Sequence, residues 1–156
     1  MNKTVAIREL RAEDRARWDE LWAGYLAYYE QDLPKDITEH TWQRLIDPQA
    51  PLRAPLHTPL HALVAIHGER VVGIVHYLFH PSTWSLNGYC YLEDLFVDPS
   101  ARGLGVGRAL IEAVYAAADA HGATRVYWHT ETNNQRARGL YDQVASIAPF
   151  IQYRRK

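Results

Sequence analysis

The 156-residue chain has a single cysteine, Cys90, which excludes an intramolecular disulfide. It has no apolar run long enough to span a membrane and no N-terminal stretch that reads as a signal peptide, so neither a membrane partner nor export is expected and a cytoplasmic location is. Neither charge is in excess: 17 Lys and Arg stand against 18 Asp and Glu. Without a net field to hold polyanions or acidic surfaces, nucleic acid is not an expected partner. The closing Arg154, Arg155 and Lys156 form a basic stretch too short to alter that. Repeats and linker-like segments are missing as well, so residues 1–156 are expected to form one domain. The eight histidines lack clustered Asp, Glu or Cys companions, and no metal site is expected. His76 and His80, on one face of a strand, read as tautomer-satisfied or surface residues. What remains is an ordinary globular composition, 47% apolar and 22% charged.

Val5 to Leu10 alternates like a half-buried strand, and Trp18, Leu21, Trp22, Tyr25, Leu26 and Tyr29 then recur at helical spacing. A second helix is expected over Thr38 to Ile46, capped by Thr38 or Asp36. Four prolines between 47 and 60 mark a surface loop. Two β runs follow from His61 to His80, turning at His67-Gly68-Glu69-Arg70. Pro81 to Gly88 breaks the pattern before a strand from Tyr89 to Val97. Val106 to His121 is amphipathic and ends at Gly122, where a left-handed cap belongs. Arg125 to Thr130 reads as a strand, Asn134 to Gln143 as a helix and Phe150 to Arg154 as a last strand. The crossover from Tyr89 to Thr130 implies one parallel pair in an otherwise antiparallel sheet, giving a mixed α/β fold with about four helices.

Between the strand ending at Val97 and the helix from Val106 lies ARGLGVGRAL. The first N–H groups of a helix lack internal partners and face the positive end of its dipole. A loop without β-carbons lets phosphate oxygens reach them. Gly103, Gly105 and Gly107 supply access, and Arg102 supplies charge. The dinucleotide fingerprint fails because Arg108 stands where its last glycine is needed, and no Lys-Ser or Lys-Thr completes a P-loop. The pattern that fits is Arg-x-x-Gly-x-Gly, from Arg102 to Gly107. In this motif, and in NNQRARGLY with Asn134, Ala137, Leu140 and Tyr141, the chain resembles the GNAT superfamily of acyl-CoA-dependent N-acyltransferases from about Leu63 to Tyr141.

That resemblance implies acetyl-CoA as cofactor, its diphosphate on the backbone from Arg102 through Gly103, Leu104, Gly105, Val106 and Gly107 to Arg108. It also implies pantetheine against Leu95, Phe96 and Val97, where two strands splay, with Asn134 and Ala137 completing the site. YLEDLFV looks like the corresponding strand of the polyamine acetyltransferases, which casts Glu93 as the base that deprotonates the acceptor amine and Tyr141 as the acid that protonates the departing thiolate. From the residues alone, a glutamate amid Tyr91, Leu92, Leu95 and Phe96 has its charged form disfavoured. Strand alternation would point Glu93 and Asp94 to opposite faces unless a bulge re-aims one. Cys90, in an apolar strand, reads as a core residue rather than a nucleophile, and His129 as an alternative base.

Tyr25 and Tyr29, with Trp84 closing over them and Glu93 and Asp94 alongside, are the expected wall of a cationic amine pocket. The expected acceptor is a small amine such as a polyamine, diamine or amino acid. A protein lysine or N-terminus is the alternative acceptor, and a non-catalytic acyl-CoA sensor the alternative class. One departure from the family is Ala145-Ser146 in place of a Gly-Phe after the tyrosine. It implies a different path to the last strand and a homodimer contact in doubt there.

Overall fold

The computed structural model describes residues 4–47 and 58–156. The proline-rich surface loop expected between 47 and 60 falls mostly outside the described residues. Five strands form one sheet in the order β1 (Ala6–Glu9), β2 (His61–His67), β3 (Arg70–Ser82), β4 (Ser85–Val97), β5 (Val126–Tyr127). The first three pairings are antiparallel and β4–β5 is parallel. The β2–β3 turn is tight because Gly68 and Glu69 both take left-handed φ, 58° and 66°, as a two-residue turn of the primed type requires.

Helices cover both faces. A bulge at Val72, where Ile66 pairs with Val71 and Ala65 with Gly73, resets the alternation along β3 and sends Val71 and Ile74 toward α1 (Arg15–Tyr28) and α2 (Lys35–Ile46), where Trp18, Trp22, Trp42 and Leu45 are buried. It sends Val72, Val75 and Tyr77 toward α3 (Val106–His121), which buries Val106, Leu110, Ile111, Val114 and Ala118. α3 lies close on the sheet because of Gly73: a β-carbon there would stand 2.8 Å from Val106 Cγ1. α4 (Gln135–Val144) packs on this side through Leu140 and Tyr141. α3 ends on Gly122 at φ 84°, whose N–H donates to the Ala118 carbonyl, as the sequence implied.

Four local expectations are corrected. α2 starts at Lys35, with Pro34 before it, because Pro34 presets the backbone and the Thr38 hydroxyl accepts from Trp22 Nε1 instead of capping. Pro81 to Gly88 belongs largely to a long hairpin: Ser82 pairs with Ser85 and His80 with Tyr89, and residues 86–88 bulge opposite Pro81. Gly88, at φ 80°, allows this, since a β-carbon there would lie 2.3 Å from the His80 carbonyl oxygen. β5 keeps only two residues in the ladder. Finally, Phe150 to Arg154 forms no strand and pairs with none of the described residues in a sheet. Ala145 sits at φ −150° rather than in a left-handed turn.

Candidate active site

The parallel ladder joins only Cys90 to Val126 and Tyr91 to Tyr127. Beyond it β4 continues alone through Leu92 to Val97, so the two strands part next to the acidic pair. Opposite this point β3 and β4 lose register: His76 pairs with Asp94 and Tyr77 with Leu92, leaving Glu93 as the extra residue. The bulge overrides simple alternation. Leu92 and Leu95 both pack into the α3-side core, so the two residues between them, Glu93 and Asp94, turn together to the other side, where Asp94 meets His76.

Their settings differ. Asp94 is largely buried, its side chain 13% exposed, and its Oδ2 is 2.9 Å from His76 Nδ1. Glu93 faces solvent. The protein around it still raises its pKa, chiefly through lost hydration and secondly through the Asp94 charge, against a smaller opposing effect of His76. Tyr25, at the end of α1, has its ionisation suppressed by burial first and by Asp94 next. Tyr29 is pushed the same way by burial and Tyr28. Among the described residues no group of His, Cys, Asp and Glu is arranged to hold a metal ion.

The glycine loop divides by function. Gly103 and Gly105 adopt φ of 81° and 76°, and a β-carbon on either would meet nothing within 4 Å. Gly105 is the N-cap of α3 and offers no side chain to its amides, so these donors point into open space of the kind an anionic group fills. Arg102 and Leu104 are exposed beside it. Gly107 has a further reason to be glycine: a β-carbon there would stand 3.1 Å from Leu140 Cδ2, so it also lets α4 approach α3. Val106 is buried in the core and offers only its backbone, and Arg108 reaches across to Gln143 Oε1. The side chains of Leu95 and Val97 pack on the α3 core and that of Phe96 under α1, leaving only their backbone for the splay. The loop thus offers an anionic group glycine backbone, the Arg102 charge and uncapped helix amides.

Asn134 caps α4, its Oδ1 accepting from Ala137 N at 3.3 Å, and it also lines a cleft of about 550 Å³ with Tyr28, Tyr29 and Glu131. Tyr141 lies one face along. Burial raises its phenol to about 12, and Trp128 packs edge-on at 5.4 Å. Trp84 is not part of this assembly. It sits 80% exposed at the tip of the β3–β4 hairpin, most of the length of β4 away from Glu93. His129 is bonded to the Tyr91 hydroxyl through Nδ1 at 3.1 Å. The residue that sequence reasoning assigned no part here is His76. Its only signal was a histidine in an otherwise apolar strand, and its pairing with Asp94 depends on cross-strand register.

The family model for the acetyltransferase (GNAT) family matches residues 11–145. A D-amino-acid N-acetyltransferase, HPA3, of Saccharomyces cerevisiae is 34% identical over 155 residues, covering 99% of this chain and 92% of that protein. A thialysine N-epsilon-acetyltransferase of Caenorhabditis elegans is 32% identical over 81 residues, 52% of this chain and 50% of its own length. Among solved structures, AAC(6')-Iy in complex with a bisubstrate analog superposes with a TM-score of 0.77 at 18% identity, covering 97% of each chain. That likeness is one of fold.

Proposed function

Because the chain belongs to the GNAT acetyltransferase family, we propose that it transfers acetyl from acetyl-CoA directly to the primary amine of a small metabolite, with an amino acid as the favoured acceptor and polyamines or diamines as the other members of the class. The observation that carries this reading is the bulge at Glu93, which sets a carboxylate of raised pKa on the open side of the sheet where β4 and β5 part. The activity printed for the yeast relative, which matches nearly end to end, supports an amino-acid acceptor.

Bound acetyl-CoA supplies the activated thioester. The chain's own residues do the rest. The amides at the start of α3, with Arg102, Gly103 and Gly105, hold the diphosphate, and the unpaired edge of Leu95 to Val97 orients the pantetheine arm with Asn134. Aliphatic amines are mostly protonated at neutral pH, and only the neutral form is a nucleophile. Glu93 takes that proton, and the upward push on its pKa from lost hydration and Asp94 makes it a better base. Tyr141 keeps its proton until the sulfur leaves. Burial makes the phenol a weaker acid than in water, but the same dry surroundings make a thiolate a stronger base, so the transfer stays feasible.

The test is thiol release from acetyl-CoA over a panel of D- and L-amino acids, diamines, polyamines and a lysine peptide. Glu93→Gln is expected to lower kcat/KM on the best acceptor about 10²–10⁴-fold and Tyr141→Phe to lower kcat, with coenzyme A affinity kept. Parent-like rates in both variants would refute these roles. Preference for the peptide would refute the small-acceptor reading.

A further inference from the structure

Behind Asp94 lies a buried chain of polar contacts that coenzyme A binding does not require. Trp18, 0% exposed, donates its indole N–H to His76 Nε2 at 3.0 Å. An indole can only donate, so His76 Nε2 must carry the lone pair and Nδ1 the hydrogen. Nδ1 lies 2.9 Å from Asp94 Oδ2, so the imidazole donates to the carboxylate. Protonating Nε2 would break the Trp18 bond in a pocket closed by Trp22, whose ring centroid is 5.5 Å from that of His76. His76 is therefore held as a neutral donor in one tautomer.

From this geometry we propose that Trp18 and His76 are positioning residues that fix the Asp94 side chain as the anchor for the acceptor's ammonium, leaving Glu93 beside it to take the proton. This rests on the reading of Glu93 as the base. The two carboxylates differ in how they are held. Asp94 receives His76 from β3 and faces the Tyr25 phenol of α1. Glu93, the bulged residue, has no cross-strand partner. The groups that face the pair are Tyr25 and Tyr29 from α1, His76 from β3, Tyr91 on β4 and Tyr127 from β5, with Arg154 bearing on Tyr91 and Glu131 on Tyr29. The phenols of that ring keep their protons near pH 7, so the acidic pair sets the local charge. Adjacent carboxylates in unlike settings take separate roles. The ammonium's N–H bond breaks and an O–H bond forms on Glu93; the freed lone pair would form the N–C bond as the C–S bond breaks, the departing thiolate would take the Tyr141 proton, and the acylated nitrogen's second proton would return to that phenolate, with Asp94 unchanged.

The experiment is the pH dependence of kcat/KM for the amine at saturating acetyl-CoA, in Asp94→Asn, His76→Leu, His76→Gln and Glu93→Gln, with melting curves and coenzyme A calorimetry on each. Asp94→Asn is expected to raise KM for the amine about tenfold, with a smaller effect on kcat. It should also move the acid limb to lower pH, by about one pH unit, since the neighbouring negative charge is gone. His76→Leu should move the limb the other way, because Asp94 loses its donor and both carboxyls become harder to ionise. His76→Gln, whose amide both donates and accepts, should return it toward the parent.

An acid limb unmoved in Asp94→Asn, or in a folded His76→Leu, in protein that melts and binds coenzyme A like the parent, would overturn the proposal. So would an Asp94→Asn variant that loses kcat and the acid limb together, which would make Asp94 itself the base. If His76→Leu fails to fold, the other two variants still decide. A Glu93→Gln variant that keeps the parent's limb refutes the Glu93 reading instead, and separately.

Discussion

Replacing Gly105 by leucine separates cofactor binding from folding. Gly105 holds φ at 76°, where a side chain costs roughly 1–2 kcal/mol of backbone strain. Its β-carbon would meet nothing within 4 Å, so no packing penalty adds to that. Against a typical stability of roughly 5–15 kcal/mol the variant should stay folded. The new side chain occupies the space above the unfilled amides of α3 and denies them to an anion. Charge-assisted hydrogen bonds contribute about 1.5–3 kcal/mol each, so losing one or two predicts a coenzyme A Kd weaker by about 10- to 10⁴-fold. Titration calorimetry with coenzyme A reads the affinity, and thermal melting without ligand reads the fold. Gly107→Ala is the contrasting control: its β-carbon presses on Leu140 at 3.1 Å, so it should lower Tm more than a non-glycine cap position would and disturb affinity less. Unchanged coenzyme A affinity in Gly105→Leu would refute the assignment of this loop to the diphosphate.

Acid stability should depend on Asp98, whose carboxylate accepts from Ser100 and Arg17 and is lowered to about 2. A depressed folded-state pKa stabilises the fold above the unfolded value near 4 and is lost as pH falls toward 2. Melting of Asp98→Asn should therefore show a deficit of up to about 2 kcal/mol at pH 6 that shrinks below pH 4, and a deficit independent of pH would count against it. Gly73→Ala drives a methyl to within 2.8 Å of Val106 Cγ1; it should cost about 1–3 kcal/mol, seen as a Tm lower by roughly 3–10 °C. Cys90 is 0% exposed with its thiol raised to about 11. Iodoacetamide at pH 8 should leave it unmodified in the native protein and alkylate it fully in guanidinium, by mass spectrometry.

Much of the molecule is legible in local sequence because its signals are local. The β2–β3 turn declares itself through Gly68-Glu69 between β-branched runs, α3 through its apolar stripe and Gly122, and the cofactor loop through alternating glycines opening a helix. The misread elements depend on partners far away in the chain. Pro81 to Gly88 reads as a break because proline and glycine usually end strands, yet a bulge opposite Pro81 lets the hairpin run past it. Phe150 to Arg154 has a strand's composition but pairs with none of the described residues in a sheet. Trp84 carries the chemistry of a pocket wall, and only the hairpin's length removes it from the site.

The sequence by itself determined which groups this protein could use: a glycine-opened helix start, a pair of carboxylates in an apolar strand, and a tyrosine two turns from an asparagine. Identity and spacing are enough for that, since helix ends and strand composition follow from nearest neighbours. Only the tertiary structure decided how the two carboxylates differ. The bulge that puts Glu93 and Asp94 on one side, and the buried Trp18–His76 contact that holds one of them, arise from the register of β3 against β4 and the docking of α1. Both are long-range pairings, set by how whole elements pack.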